Sequence, residues 1–199
     1  MKKSRADTAE TRKRIIAAAS TVFLAQGLAG TGIAEIMAAA GMTPGGFYRH
    51  FDSKEHLIAE ANSAASERLL ALFEAATRGK APGEALATIV AMYLDQSEEV
   101  SALCSLACLG SELRHSDSEI KAAAMRGHER MLAFVAGQTR QMGVADHQSL
   151  ANAVVSTLVG AVTIARLAGD PARAKVILDN ARTVVGGLIQ RPPAPGAGH

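Results

Sequence analysis

The chain has 199 residues, 48% of them hydrophobic and 4% aromatic, with a formal net charge of +2. That composition excludes a wholly disordered chain and supports one large domain or two small ones. Abundant alanine and short β-branched runs favour helices packed on helices. Two cysteines, Cys104 and Cys108, exclude a disulfide framework, and no zinc-type spacing is present. The charge is unevenly spread. Residues 1–56 hold eight basic and five acidic side chains, whereas the remainder holds 13 and 14. The excess positive charge therefore sits at the N-terminal end, as expected if that end meets a polyanion. The N-terminus begins charged and lacks a signal-peptide apolar core. The longest apolar stretch, Leu150 to Ala168, contains Ser156, Thr157 and Arg166 and reads as a buried helix rather than a membrane span. A cytoplasmic chain with no membrane partner is the expectation.

In chain order, residues 1–7 read as a polar basic arm. Thr8 to Gln26 predicts a first helix, with Ile15, Ile16, Ala19, Val22 and Phe23 at helical spacing. Gly27 supplies a left-handed C-cap. Thr31 is expected to N-cap a short helix from Gly32 to Ala40, with Ile33, Ile36 and Met37 inward. Gly41 ends it. Thr43 is expected to cap a third short helix, with Pro44 at its first position. Asp52 and Glu55 stand at capping-box spacing before a long helix to Arg78. After the loop Gly79–Gly83, helices are expected over 83–96, 102–115, 116–142 (Ser116 and Glu119 at capping-box spacing), 146–168 (capped by Asp146) and 171–190. Residues 191–199 are rich in Pro and Gly and expected to be disordered. The prediction is an all-α chain of about nine helices. It divides into an N-terminal three-helix domain (8–68), a C-terminal helical domain (69–190) and a tail (191–199).

Two short helices joined by Gly41-Met42-Thr43 make a helix-turn-helix. The glycine turns the chain at positive φ, and the cap starts the second helix within a few residues. Such a second helix enters the major groove with its N-terminus leading. On that reading Thr43 and Gly45 lie nearest the base edges, and Pro44 meets a thymine methyl. Arg49 is the main candidate for a bidentate base contact. Tyr48, His50 and Lys54 are candidates for phosphate, as is Thr31 with Gly32 and the neighbouring N–H groups. Phe47 and Phe51 read as core. The Arg12-Lys13-Arg14 run reads equally as a solvated face or as a polyanion contact.

Residues 8–57 resemble the N-terminal domain of the TetR/AcrR family of transcriptional regulators. The resemblance is carried by Ile15-to-Phe23, Gly27 and Thr31-Gly32-Ile33-Ala34-Glu35-Ile36. It continues through Ala40-Gly41-Met42-Thr43-Pro44-Gly45-Gly46-Phe47-Tyr48-Arg49-His50-Phe51 and Lys54-Glu55-His56-Leu57. It implies a homodimer that binds double-stranded operator DNA with two-fold pseudosymmetry and is released by a small-molecule effector. Ala34 departs from the polar or basic residue many members carry there, which bears on the operator sequence.

In the C-terminal domain, the helix over 146–168 is apolar nearly all round, which calls for partners on every side. Val155, Leu158 and Val162 from it, with Val184 and Leu188 from the last helix, are the expected dimer contacts. Gly160, Ala161, Gly186 and Gly187 would permit close helix approach, as in a bundle shared by two subunits. An ordinary monomer core is the alternative. Met92, Tyr93, Gln96, Cys104, Met131, Phe134 and Gln138 are the candidate ligand contacts, mixing adaptable apolar surface with polar handles. Cys104 and Cys108, at i and i+4, read as buried hydrophobes, a redox pair or a soft-metal site. Nothing in the sequence supplies catalytic machinery, a cofactor motif or a metal cluster. The leading expectation is a ligand-released repressor. The alternatives are a helical interaction module and an all-α small-molecule-binding protein without a DNA role.

Overall fold

The computed structural model describes residues 5–95 and 105–190; of Arg5 and residues 105–108 only the backbone is described. Gln96, Cys104, the side chain of Cys108, residues 1–4 and the segment 191–199 therefore lie outside the described residues. The described elements are α1 (Arg5–Gln26), α2 (Ile33–Ala39), a 3₁₀ helix (Pro44–Arg49), α3 (Lys54–Thr77), α4 (Pro82–Leu94), α5 (Ser105–Leu113), α6 (Ser118–Gln141), α7 (His147–Leu167) and α8 (Pro171–Gln190). No strand occurs among the described residues.

Side-chain caps set several of these boundaries, though not always through the residues the sequence suggests. Asp146 caps α7 as expected, its carboxylate accepting the Ser149 N–H at 3.2 Å. For α6 the cap is Asp117, which accepts the Ile120 N–H at 2.9 Å. Ser116 instead donates back to the Glu112 carbonyl at 3.1 Å. For α3 the cap is Ser53, whose hydroxyl accepts the His56 N–H at 3.1 Å. In both corrected cases the acceptor is the residue directly before the helix, the position from which a side chain reaches the third N–H of the first turn. Asp52 and Ser116 sit one residue too early. Thr31 does not cap α2 either. The cap position is Gly32, without a side-chain bond, while buried Thr31 donates its hydroxyl to the Gly27 carbonyl at 2.7 Å.

The described residues form two compact units, one within Met1–Glu67 and Ala102–Gly127 and one within Arg68–Ser101 and His128–His199. Residues 105–127, grouped by sequence with the C-terminal domain, thus pack in the first unit. The reason is apolar. Leu109, Leu113, Ile120 and Ala123 share one core with Ile15, Phe23, Ile36, Phe47, Phe51 and Leu57. Burial of a large apolar side chain of this kind stabilises by about 1.5–3 kcal/mol.

Arg12 ties this unit together. Its guanidinium forms a bidentate pair with Glu60 of α3. Its Nε donates to the His50 carbonyl at 3.3 Å, and its plane lies over the Phe51 ring, 4.6 Å from the centroid. One side chain of α1 thereby fixes the end of the 3₁₀ helix and the start of α3. Arg14 is not merely solvated. It donates to the Ala40 carbonyl at 2.8 Å and satisfies the end of α2.

In the second unit α7 and α8 pack against each other, and α4 packs on both. Ile89, Val90 and Leu94 of α4 are buried, as are Leu150, Val154, Val155, Leu158 and Val162 of α7. Phe73 and Phe134 stack with centroids 6.5 Å apart. The helix His147–Leu167 is apolar and long enough to cross a membrane, with a mean hydropathy of 1.6. One side of it, however, is filled by these core residues. The other is left open among the described residues: Ile164 is 57% and Leu167 80% exposed. Val155, Leu158 and Val162, expected at a dimer contact, are buried within the chain itself. Of the residues expected at an interface, Val184 is exposed and Leu188 half-buried.

The Arg12 pair also couples the fold to pH. Hydrogen bonding from Arg12 holds the Glu60 carboxyl below its ordinary value, against an opposing push from burial. A carboxylate depressed on folding contributes stability above its unfolded pKa, about 4.3, and loses it as pH falls through the folded value. Glu60→Gln should therefore lower urea-unfolding stability by about 1 kcal/mol at pH 7, the pair being partly exposed. The gap between variant and parent should close as pH falls below about 4. A gap that persists unchanged into acid would contradict the role given to this pair.

Candidate nucleic-acid interface

The 3₁₀ helix follows directly from its sequence. Pro44 occupies the first turn, where a missing N–H costs nothing. Gly45 and Gly46 weaken a regular α-helix, and only six residues separate the cap from His50. The Gly46 N–H bonds the Thr43 carbonyl at 3.1 Å. Thr43 stands at the cap position, but its hydroxyl makes no cap bond. The reading element is thus a 3₁₀ helix, tighter than the α-helix a helix-turn-helix suggests. Gly41 takes φ +69° between α2 and this helix, a region an L side chain enters only with strain.

One side of the 3₁₀ helix is anchored and the other presented. Phe47 is fully buried and stacks on Phe51 at 5.7 Å. Thr43, Pro44, Gly45, Tyr48 and Arg49 are exposed, and His50 is half-buried. Tyr48 is 72% exposed, its ring set edge-on against Phe47 at 5.1 Å, so the phenol is aimed outward by a rigid neighbour. A Cβ at Gly45 would meet nothing within 4 Å, leaving open space beside these side chains. Gly32 is likewise open.

Two residues expected at phosphate make bonds within the chain. Thr31 is buried, with its hydroxyl proton on the Gly27 carbonyl. The Lys54 ammonium donates to the Leu28 carbonyl at 2.6 Å and is half-buried. The loop it holds is gripped from the other side by Glu112 of α5. That carboxylate accepts the Leu28 N–H at 2.8 Å and the Ala29 N–H at 2.9 Å. Gly27 makes the approach possible, since a Cβ there would come within 2.6 Å of the Glu112 carboxylate, and φ is +81°. Sequence reasoning missed Arg12, Arg14 and Glu112 as organisers of the unit. Arg12 and Arg14 are visible there only as a basic run. Glu112 meets its partners across 83 and 84 residues, a span that no local pattern covers.

Of the candidate ligand contacts, Tyr93 and Met131 are buried, while Met92, Phe134 and Gln138 are half-buried. Phe134 is occupied in stacking on Phe73. Among the described residues, no group of three His, Cys, Asp or Glu is placed to hold a metal ion.

The sequence model of bacterial regulatory proteins of the tetR family matches residues 15–61, the segment that forms the helix-turn-helix and its supports. This N-terminal segment is thus similar to the DNA-binding domain of tetR-family regulatory proteins. It is 34% identical to the HTH-type transcriptional regulator AcrR of Shigella flexneri over 88 residues, 44% of this chain and 40% of that protein. It is 30% identical to the HTH-type transcriptional regulator TcmR of Streptomyces glaucescens over 131 residues, 66% of this chain and 53% of that protein. The matches thus span about half, or less, of these curated relatives. A crystal structure of a TetR transcriptional regulator from Chloroflexus aurantiacus superposes with a TM-score of 0.78 at 27% identity, over 92% of this chain and 96% of that one.

The Glu112 grip predicts a local effect. Glu112→Ala removes the acceptor of two loop amides, so hydrogen exchange at Leu28 and Ala29 should accelerate by at least about tenfold. Exchange at Ala40, whose amide bonds within the α2 turn, should stay near its parent rate. Unchanged protection at both loop amides would show that the carboxylate does not hold them.

Proposed function

We propose that this regulator binds operator DNA as a homodimer and represses transcription until a small-molecule effector releases it. The observation that carries the DNA reading is the split of the 3₁₀ helix. Phe47 is sunk in the core while Thr43, Pro44, Gly45, Tyr48 and Arg49 face outward. A segment so anchored presents its outward side chains in fixed positions, which groove reading requires. Arg49 is the side chain here suited to a bidentate contact with guanine, and Pro44 to a thymine methyl. Tyr48 and His50 contact phosphate. With few base-reading groups, much of the selectivity rests on duplex shape.

Dimerisation is supported by the uncovered sides of α7 and α8. Ile164, Leu167, Val176 and Val184 are all more than half exposed. Cβ atoms at Gly160, Gly186 and Gly187 would meet nothing within 4 Å, so close helix approach by a second copy is open there. Two copies would place two reading helices about one duplex turn apart, ~34–36 Å. An effector that binds better to a dimer with another spacing lowers operator affinity by population shift. The helix α3 carries residues of both units and is the covalent route between reader and effector domain.

Binding to its own promoter region should weaken steeply with salt, as phosphate neutralisation requires. Arg49→Ala should reduce affinity for that region about 10-fold or more relative to random duplex, with the fold intact. A flat salt response together with an inert Arg49→Ala would favour an interaction module instead. Independently, Leu167→Glu, which places a charge on an 80% exposed apolar position, should shift the sedimenting species from dimer towards monomer. An unchanged dimer would remove α7 from the interface.

A further inference from the structure

In the first unit, α1, α3 and α5 enclose a half-open cavity whose walls include Phe23, Leu28, Ile58 and Leu109. Two polar side chains interrupt this apolar lining, Asn62 and Ser20. Asn62 is 5% exposed, and its buried Nδ2 has no hydrogen-bond partner among the described residues. Ser20 has committed its proton to the Ile16 carbonyl at 3.0 Å, so its oxygen offers only lone pairs. A buried amide N–H without an acceptor is costly, and native proteins leave few of them.

We infer that this cavity is a binding site for a small neutral alcohol. The hydroxyl oxygen accepts from Asn62 Nδ2, and its proton goes to Ser20 Oγ. The carbon chain fills the apolar wall. No ionisable residue lines the cavity among the described residues, so a charged ligand would lose its hydration without compensation. Size limits the class further. The atom-free space, mouth included, is about 270 Å³, with an interior of about 20 Å³. A ligand of a few heavy atoms enters by displacing the half-buried Leu24 at the lining. The cavity is lined by none of Met92, Tyr93 and the other candidate effector contacts, and its existence does not depend on the DNA reading.

The test is a titration of the full chain with isobutanol, followed through methyl carbon shifts. Saturable shifts are expected at Leu28, Ile58 and Leu109. Asn62→Leu, which removes the donor, should weaken binding at least about tenfold. Ala65→Val, which narrows the cavity without touching either polar group, should weaken it as well. Shifts that rise linearly without saturation, or that match the parent's in both folded variants, would overturn the inference. So would a crystal soaked in isobutanol that shows only an ordered water between Asn62 and Ser20.

Discussion

The first unit depends on the Arg12 guanidinium. It stands where α1, the end of the 3₁₀ helix and the first turns of α3 converge, and it meets the latter two by three different interactions. Glu60 takes its charge, the His50 carbonyl takes its Nε proton, and the Phe51 ring takes its face. A lysine could supply the charge but not the planar fork, the second donor direction and the stacking together. The position of the reading helix is fixed between this clamp on one side and buried Phe47 on the other. Lys54 and Glu112 secure the preceding loop in the same manner, one by its carbonyl and one by its amides. Lys54 and Glu112 thereby satisfy backbone groups of the loop between α1 and α2.

Much of the architecture is legible in the sequence because it rests on local chemistry. The helical spacing of Ile15, Ala19 and Phe23, the glycines at positions 27 and 41, and Pro44 in its first-turn place each act over a few residues. The helix-turn-helix is therefore recoverable from residues 31–50 alone. Cap identity is less so, since Ser53 and Asp117 compete with plausible neighbours one position earlier. The choice is made by where the helix begins, which tertiary packing decides.

The partnership between distant segments is what the sequence does not reveal. Residues 102–127 look like part of the C-terminal helical domain by order, yet Leu109, Leu113 and Ile120 complete the N-terminal core. A stripe of apolar residues records that something will cover it, not what. The same ambiguity affects α7. Val155, Leu158 and Val162 are apolar enough for a subunit interface, but the chain itself covers them, and Ile164 and Leu167 remain outside. Basic residues carry a similar ambiguity. Lys54 carries the charge a phosphate contact needs, but its ammonium is bound to a carbonyl of its own chain.

The six-residue 3₁₀ helix has one more consequence. Positions three apart eclipse in such a helix, so Gly45 lies beneath Tyr48, and Phe47 is the one position of the six that is sunk in the core. The outward positions contribute little to folding. Substitutions at Thr43, Gly45 and Arg49, all exposed, can therefore change what this face presents while the buried Phe47 keeps the scaffold intact.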